Sequence, residues 1–346
     1  MSSYKNLNLN RTLIDNVINN HLIGVADINK KESGQRITYS IRFHDKTIKT
    51  ALLLIYYLED GTTTLQYETG KNPAYSKELA TIVKENTSIK LLDVGHLYFK
   101  EISQDNFDTL LNFLPDISAT ISEAKVISNG TQYIITGSQG EKLSMIHYNN
   151  YSILFQGRPS FLFNQIMEIL VELFPPNDVL SEYLGYYKIS TTKEDFEIEL
   201  ESRYPNTFNK LNEKLRVVLL PVIALNKVSI EGLEDYSFIA YPSLRCLEGV
   251  MKNEFLGYGI TIDNKEGFKD CFKYNHTKGV WEYDAKTSSA ITDIRTCEYL
   301  AKMYTIYCNS RHSLFHVDAL APKIITKEEA IGITDEILSL IEEFYS

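Results

Sequence analysis

The sequence predicts an α+β protein: two N-terminal α+β units followed by a helical C-terminal part. Three observations carry this. Up to Gln156 the chain is dominated by short β-rich runs separated by turn signals. Two of these runs end alike, TTLQYETG and SILFQGRP, each leading through a glycine into a helical segment, which reads as a diverged repeat. After Pro175-Pro176-Asn177-Asp178 the apolar spacing becomes helical. The expected divisions are residues 1–92, 93–177 and 178–346.

Residues 12–22 suit a short helix. Strands are expected at Arg36 to Phe43, Ile48 to Tyr57 and Thr62 to Tyr67, with Asp60-Gly61 as a hairpin turn. A covering helix follows at Ala74 to Lys84. The second unit opens with a helix at Asn106 to Phe113. Strands follow at Ala124 to Ser128, Gln132 to Thr136, Lys142 to Tyr148 and Ser152 to Gln156, with Asn129-Gly130 and Asn149-Asn150 turning between them. Pro159 then introduces an apolar helix from Phe161 to Phe174. Beyond the boundary, helices are expected at Val179 to Tyr187, Asp195 to Ser202, Phe208 to Val222, Tyr241 to Asn253, Thr287 to Cys308 and Thr326 to Tyr345. The last begins with a capping box, Thr326 with Glu329. Leu256 to Asp284 reads as a loop with one helical turn.

Composition narrows the function classes. The 346 residues are 44% hydrophobic and 23% charged, enough apolar content for sizeable cores and too much for disorder. The net charge of −10 has the wrong sign for a protein that coats nucleic acid. Residues 181–346 carry 19 Lys and Arg against 26 Asp and Glu, so any RNA contact there must rest on a few local cations. Cys246, Cys271, Cys297 and Cys308 form no CxxC pair and fit no zinc spacing, which predicts reduced thiols. No run of 18 apolar residues and no signal peptide are visible, so a soluble cytoplasmic protein is expected. Dinucleotide, P-loop, HExxH, GxSxG and EF-hand motifs are absent; no cofactor and no metal are expected.

Two segments carry candidate chemistry. In YPSLRCLEGVMK, Arg245 and Glu248 are three residues apart and Lys252 follows four later, so all three neighbour one another on one helix face. The same spacing also fits a surface salt-bridge ladder contributing about 0.3–0.5 kcal/mol per pair. In RHSLFH, Arg311 precedes His316 by five residues. Asn309-Ser310 reads as a helix stop and cap, which would set both near a helix N-terminus, where backbone N–H groups attract phosphate. A guanidinium, a carboxylate and an imidazole together can cleave an RNA phosphodiester. Lys302 and Arg295 could add positive charge to the same pocket, and His312 is a candidate substrate contact. His21, His44, His96 and His147 show no partner in the sequence.

With these segments, SYKNLNL, GTTTLQYETG and FQGRP included, the chain resembles the bacterial ribonuclease LS toxins (RnlA/LsoA type) of toxin–antitoxin systems. The resemblance runs over most of the chain. It implies two TATA-binding-protein-like α+β domains followed by an all-α domain of the HEPN ribonuclease superfamily. The superfamily's arginine–spacer–histidine signature maps onto Arg311 and His316, and the family's further site positions onto Arg245 and Glu248. The resemblance implies a metal-independent endoribonuclease that cleaves mRNA, a small cognate antitoxin, a site assembled in a homodimer, and a role in growth arrest and phage defence. Neither a membrane nor DNA is an expected partner. The rival reading is a non-catalytic helical module that binds a protein or nucleotide, its charged residues being surface ion pairs.

Overall fold

Burial with a period of two builds the first sheet. The computed structural model describes all residues except 1–3, 46–49, 91–95, 159, 188, 228–230, 264–266, 285–289 and 316–323; for Lys269 and for Arg311 to Phe315 it describes the backbone alone. The chain divides into two compact units. One comprises residues 1–169, 185–188 and 229–234; the other 170–184, 189–228 and 235–346.

In the first unit, α1 (Leu13–Leu22) precedes an antiparallel meander of β1 (Ala26–Ser33), β2 (Arg36–Phe43), β3 (Ala51–Tyr57) and β4 (Thr63–Gln66), which α2 (Pro73–Thr87) completes. Ile37, Tyr39 and Ile41 of β2 alternate inward beside Leu53 and Ile55 of β3. Ile14 and Ile18 of α1 and Leu79 and Val83 of α2 close the same core. Removing that apolar area from water is the main stabilising term. Sequence periodicity does not reveal β1, because its ADINKKES is polar and mostly exposed on both faces. It is an edge strand, held by its full register with β2.

The same order returns further along. After the short β5 (Leu97–Phe99) come α3 (Gln104–Asp116), a meander of β6 (Thr120–Ile127), β7 (Gly130–Thr136), β8 (Lys142–Tyr148) and β9 (Ile153–Gln156), then α4 (Phe161–Leu173). The sheet order is β5-β9-β8-β7-β6. The two meanders share a turn. Between β3 and β4, Asp60 Oδ1 accepts from Thr62 N (2.9 Å) and Thr62 Oγ1 (2.6 Å) around Gly61 at φ +83°. Between β8 and β9, Asn150 Oδ1 accepts from Ser152 N (3.2 Å) and Ser152 Oγ (2.7 Å) around Tyr151 at φ +64°. Asx side chains replace a backbone hydrogen bond in both. Arg11, 7% exposed, ties the two meanders together. It donates to Leu58 O (3.1 Å), Thr62 O (2.9 Å) and Thr63 Oγ1 (3.3 Å) in the first and to Gln139 O (2.7 Å) in the second, with its guanidinium over the Tyr57 ring.

The second unit is helical: α5 (Pro176–Tyr186, through Leu184), α6 (Lys193–Arg203), α7 (Pro205–Lys210), α8 (Glu213–Asn226), α9 (Ser237–Gly257), α10 (Ile294–Phe315) and α11 (Lys327–Tyr345). α9 is the hub, packed on α8, α10 and α11 through Leu244, Cys246, Leu247, Val250 and Met251. The capping box of Thr326 and Glu329 forms as expected. Three readings need correction. The helix expected over Phe208 to Val222 is two helices, because Asn212 takes the N-cap position and accepts from Leu215 N (3.0 Å). The loop expected over Leu256 to Asp284 contains a hairpin, β10 (Phe272–Asn275) with β11 (Val280–Tyr283), seated on α10 by stacking of Phe272 on Tyr304 (4.2 Å). The helix expected to start at Thr287 and stop at Asn309-Ser310 begins where Asp293 accepts from Thr296 N (2.9 Å) and continues to Phe315. Arg311 therefore lies inside α10 and not at the start of a new helix. The four cysteines are free thiols. Among the described residues no helix is long and apolar enough to cross a membrane.

Candidate active site

α9 carries Arg245, Glu248 and Lys252 along one wall of a concavity of about 790 Å³ in the second unit. The opposite walls are the start of α8, with Glu213, Lys214 and Leu215, and the segment from Glu172 to Asn177. Two helix N-termini, those of α5 and α8, thus border it. The positive end of each dipole favours an anion, while Asn212 already caps α8 by accepting from Leu215 N. Gly249 lets α8 come close, since a Cβ there would stand 2.3 Å from Leu215 Cδ2.

The charged groups are held in two networks. Glu172 accepts a short hydrogen bond from the Tyr241 hydroxyl and stands 3.9 Å from Arg245 Nε. Glu248 accepts from the Tyr307 hydroxyl (2.9 Å) and pairs with Lys252 Nζ (2.7 Å). Arg245 Nη1 is buried and meets no hydrogen-bond partner among the described residues. Two donors of its guanidinium are thus treated differently: Nε faces a carboxylate, while the buried Nη1 faces none of the described acceptors. A guanidinium in that state is ready for a phosphoryl oxygen, whose arrival would satisfy the orphan donor.

Of the residues proposed from sequence, Arg245, Glu248 and Lys252 come together. Arg311 stands on α10 one turn beyond Tyr307, in the same helical row; His312 lies beside it, and the side chains of both lie outside the described residues. His316 also lies outside them. Lys302 does not join this pocket. Its ammonium sits over the Tyr299 ring (4.8 Å) and lines another concavity, with Trp281 and Glu298. Arg295 is likewise engaged elsewhere, donating to Glu343 O (2.9 Å). In the first unit, His44 has a partner the sequence did not show, Asp27 Oδ1 at 3.1 Å, and His147 stacks on Phe107. Sequence reasoning missed Glu172, Tyr241 and Tyr307. A faint signal existed: each arginine has a tyrosine four residues before it, Tyr241 before Arg245 and Tyr307 before Arg311.

Comparison with known proteins assigns the chain to a family. Three family models match consecutive stretches: "RNase LS, bacterial toxin N-terminal" over residues 4–83, "RNase LS, bacterial toxin" over 93–175, and "RNase LS, bacterial toxin DBD domain" over 192–318. The chain belongs to the RNase LS family of bacterial toxins. It is 26% identical over 345 residues to the mRNA endoribonuclease LsoA of Escherichia coli O157:H7, covering 98% of this chain and 96% of that protein. It is 26% identical over 333 residues to the mRNA endoribonuclease toxin LS of Escherichia coli strain K12, covering 92% and 90%. Among solved structures, the Escherichia coli toxin LsoA in complex with the T4 phage antitoxin Dmd aligns with a TM-score of 0.44 at 24% identity, over 72% of this chain and 98% of that one.

Proposed function

We propose that this protein is the toxin of a toxin–antitoxin pair and a metal-independent endoribonuclease that cleaves mRNA, with Arg245, Glu248, Arg311 and His316 as its catalytic residues. Near-full-length similarity to two proteins named mRNA endoribonucleases carries the reading. The buried Arg245 Nη1, without a partner among the described residues, in a concavity bordered by two helix N-termini, supports the location.

RNA supplies its own nucleophile, the 2′-OH. His316 takes the proton of that hydroxyl, the role for which an imidazole side chain is suited. The 2′-oxygen attacks phosphorus, the bond from phosphorus to the 5′-oxygen breaks, and the leaving oxygen takes a proton from solvent while the His316 imidazolium returns its own to solvent. The products are a 2′,3′-cyclic phosphate and a free 5′-OH. Arg245 and Arg311 neutralise the charge that gathers on the phosphoryl oxygens. Glu248, held by Tyr307 and Lys252, orients cations around the phosphate. Lys252 adds positive charge at the same wall.

The same reading gives this chain a small antitoxin that docks on the part after residue 177, and a homodimer whose geometry controls the site. It also keeps the three-domain division at residues 92 and 177. The test is cleavage of an end-labelled mRNA in excess EDTA by wild type, Arg245→Ala and His316→Ala. Cleavage by wild type alone is expected. Equal cleavage by all three would remove these residues from the chemistry. Cleavage by none, with each protein folded, would favour the non-catalytic binding module.

A further inference from the structure

Positive charge is unevenly placed along this acidic chain. Residues 1–92 carry 12 Lys and Arg against 9 Asp and Glu, while the remaining residues carry 23 against 36. Part of the excess gathers on one surface. In the β1–β4 sheet one face is buried under α1 and α2. The other face, formed by the alternate residues, has an unusual composition. Its strand cations are Lys31, Arg36 and Arg42, all exposed, with no ion pair among the described residues. Its one strand carboxylate, Asp27, is engaged by the His44 imidazole at 3.1 Å. Glu32, on the opposite face, pairs with Lys30.

The centre of this open face is apolar. β3 turns Leu52, Leu54 and Tyr56 outward, each half-buried, where an antiparallel sheet facing only water would carry polar residues. Beside them is a concavity of about 580 Å³, lined by Asn29, Ser40, Arg42, Leu52 and Lys71 among others. Arg36 and Arg42 lie six residues apart on β2, so the cationic row spans roughly 20 Å of strand. Cations along a rim and an aromatic on a flat apolar floor match the two parts of an unpaired nucleotide strand, phosphates and base faces.

We propose that the open face of the β1–β4 sheet is a binding platform for single-stranded RNA, holding phosphates through Lys31, Arg36 and Arg42 and stacking a base on Tyr56. It rests on the endoribonuclease reading, because the strand it would hold is the substrate. It explains how a chain of net charge −10 gathers a polyanion: the attraction is local to this face. Side-chain hydroxyls and amides among the cations, such as Asn29 and Ser40, provide partners for ribose hydroxyls.

The test is fluorescence anisotropy of the full-length protein with a labelled 20-nucleotide RNA of 2′-O-methyl riboses. This strand offers phosphates and bases but no nucleophile, so binding is read whether or not the protein cleaves RNA. The Arg36→Ala/Arg42→Ala variant is expected to bind about tenfold more weakly near 0.1 M salt. Its dependence of log affinity on log salt should flatten by about 1.4, roughly 0.7 for each phosphate that is no longer neutralised. Tyr56→Ala should weaken binding with the salt dependence unchanged. All three side chains reach solvent, and an unaltered thermal midpoint checks that the fold is kept. Wild-type affinity and salt dependence in the double variant would overturn the platform. So would unchanged RNA binding alongside lost binding of a polyglutamate peptide, which would assign the face to an acidic protein. Intact, salt-sensitive binding by a protein that cleaves no RNA would sink the enzyme reading, and with it the claim that the bound strand is a substrate, and leave an RNA-binding face alone.

Discussion

Arg245 shows how much rests on one side chain. Its spacing from Glu248 and Lys252 was legible because helical neighbours follow from sequence alone. Its actual carboxylate partner was not. Glu172 comes from another helix, and Tyr241, which holds Glu172, looks in sequence like one more apolar residue of α9. Arg245→Ala should lower the cleavage rate by about 10²–10³-fold, the scale for losing one preorganised donor to a developing oxyanion. Glu172→Gln and Tyr241→Phe leave that donor in place and loosen it, so a loss of about tenfold is expected in the same assay. If these two variants match Arg245→Ala, the carboxylate takes part in the chemistry and does more than hold the arginine. Arg11 is a residue-scale case of stability. Burial lowers its pKa, with Glu141 opposing, and its four hydrogen bonds join segments far apart in sequence. Arg11→Ala should cost on the order of 3 kcal/mol in denaturant unfolding of the first unit, since it orphans carbonyls in two turns. A cost under about 0.5 kcal/mol would mean that water replaces the clamp.

Among elements, long periodic segments were readable and short or polar ones were not. β2 and β8 fall where the alternation of their residues placed them. β1 escaped because neither face is strongly buried, β5 because it has three residues, and the β10–β11 hairpin because its strands have four each. Asn309-Ser310 misled in the other direction. Cap-forming residues mark helix ends only where tertiary packing does not carry the helix through them, and α10 continues past them. Gly130 tests the second meander. A Cβ there would stand 2.2 Å from His147 O, backbone that cannot step aside. Gly130→Ala should therefore destabilise the β7–β8 pair by about 2 kcal/mol, seen as a lower unfolding midpoint. At α7, burial pushes the Glu342 carboxyl up, but hydrogen bonds from Thr207 N (2.7 Å) and Asn206 N (3.0 Å) outweigh it and hold its pKa below the ordinary carboxylate value. A depressed folded pKa means this stabilisation is present above the unfolded value and is lost as pH falls through the folded one. The wild-type midpoint should thus drop on acidification through the carboxylate range more steeply than that of Glu342→Gln. Parallel pH curves for the two would contradict the capping role.

For the whole molecule, the change of pattern at Pro175-Pro176 was visible, and so was the repeat. The shared Asx turns at Asp60 and Asn150 give that repeat a physical content which the two glycine-ended strands only hinted at. The two compact units are each discontinuous in sequence, which no linker signal could reveal because residues 185–188 and 229–234 fold with the N-terminal part. At this scale two charge patterns underlie the proposals: the cations Arg245 and Lys252 on the wall of a concavity in the second unit, and a basic sheet face in the first. The central claim is that the RNA itself supplies the nucleophile. The most direct measurement is cleavage of an RNA substrate carrying a single 2′-deoxy nucleotide at its mapped cleavage position, with the unmodified RNA alongside. The account predicts that the unmodified RNA yields a 2′,3′-cyclic phosphate and a 5′-OH, and that the one missing hydroxyl abolishes cleavage at that position. Undiminished cleavage of the 2′-deoxy substrate would mean that water attacks, and would contradict the account.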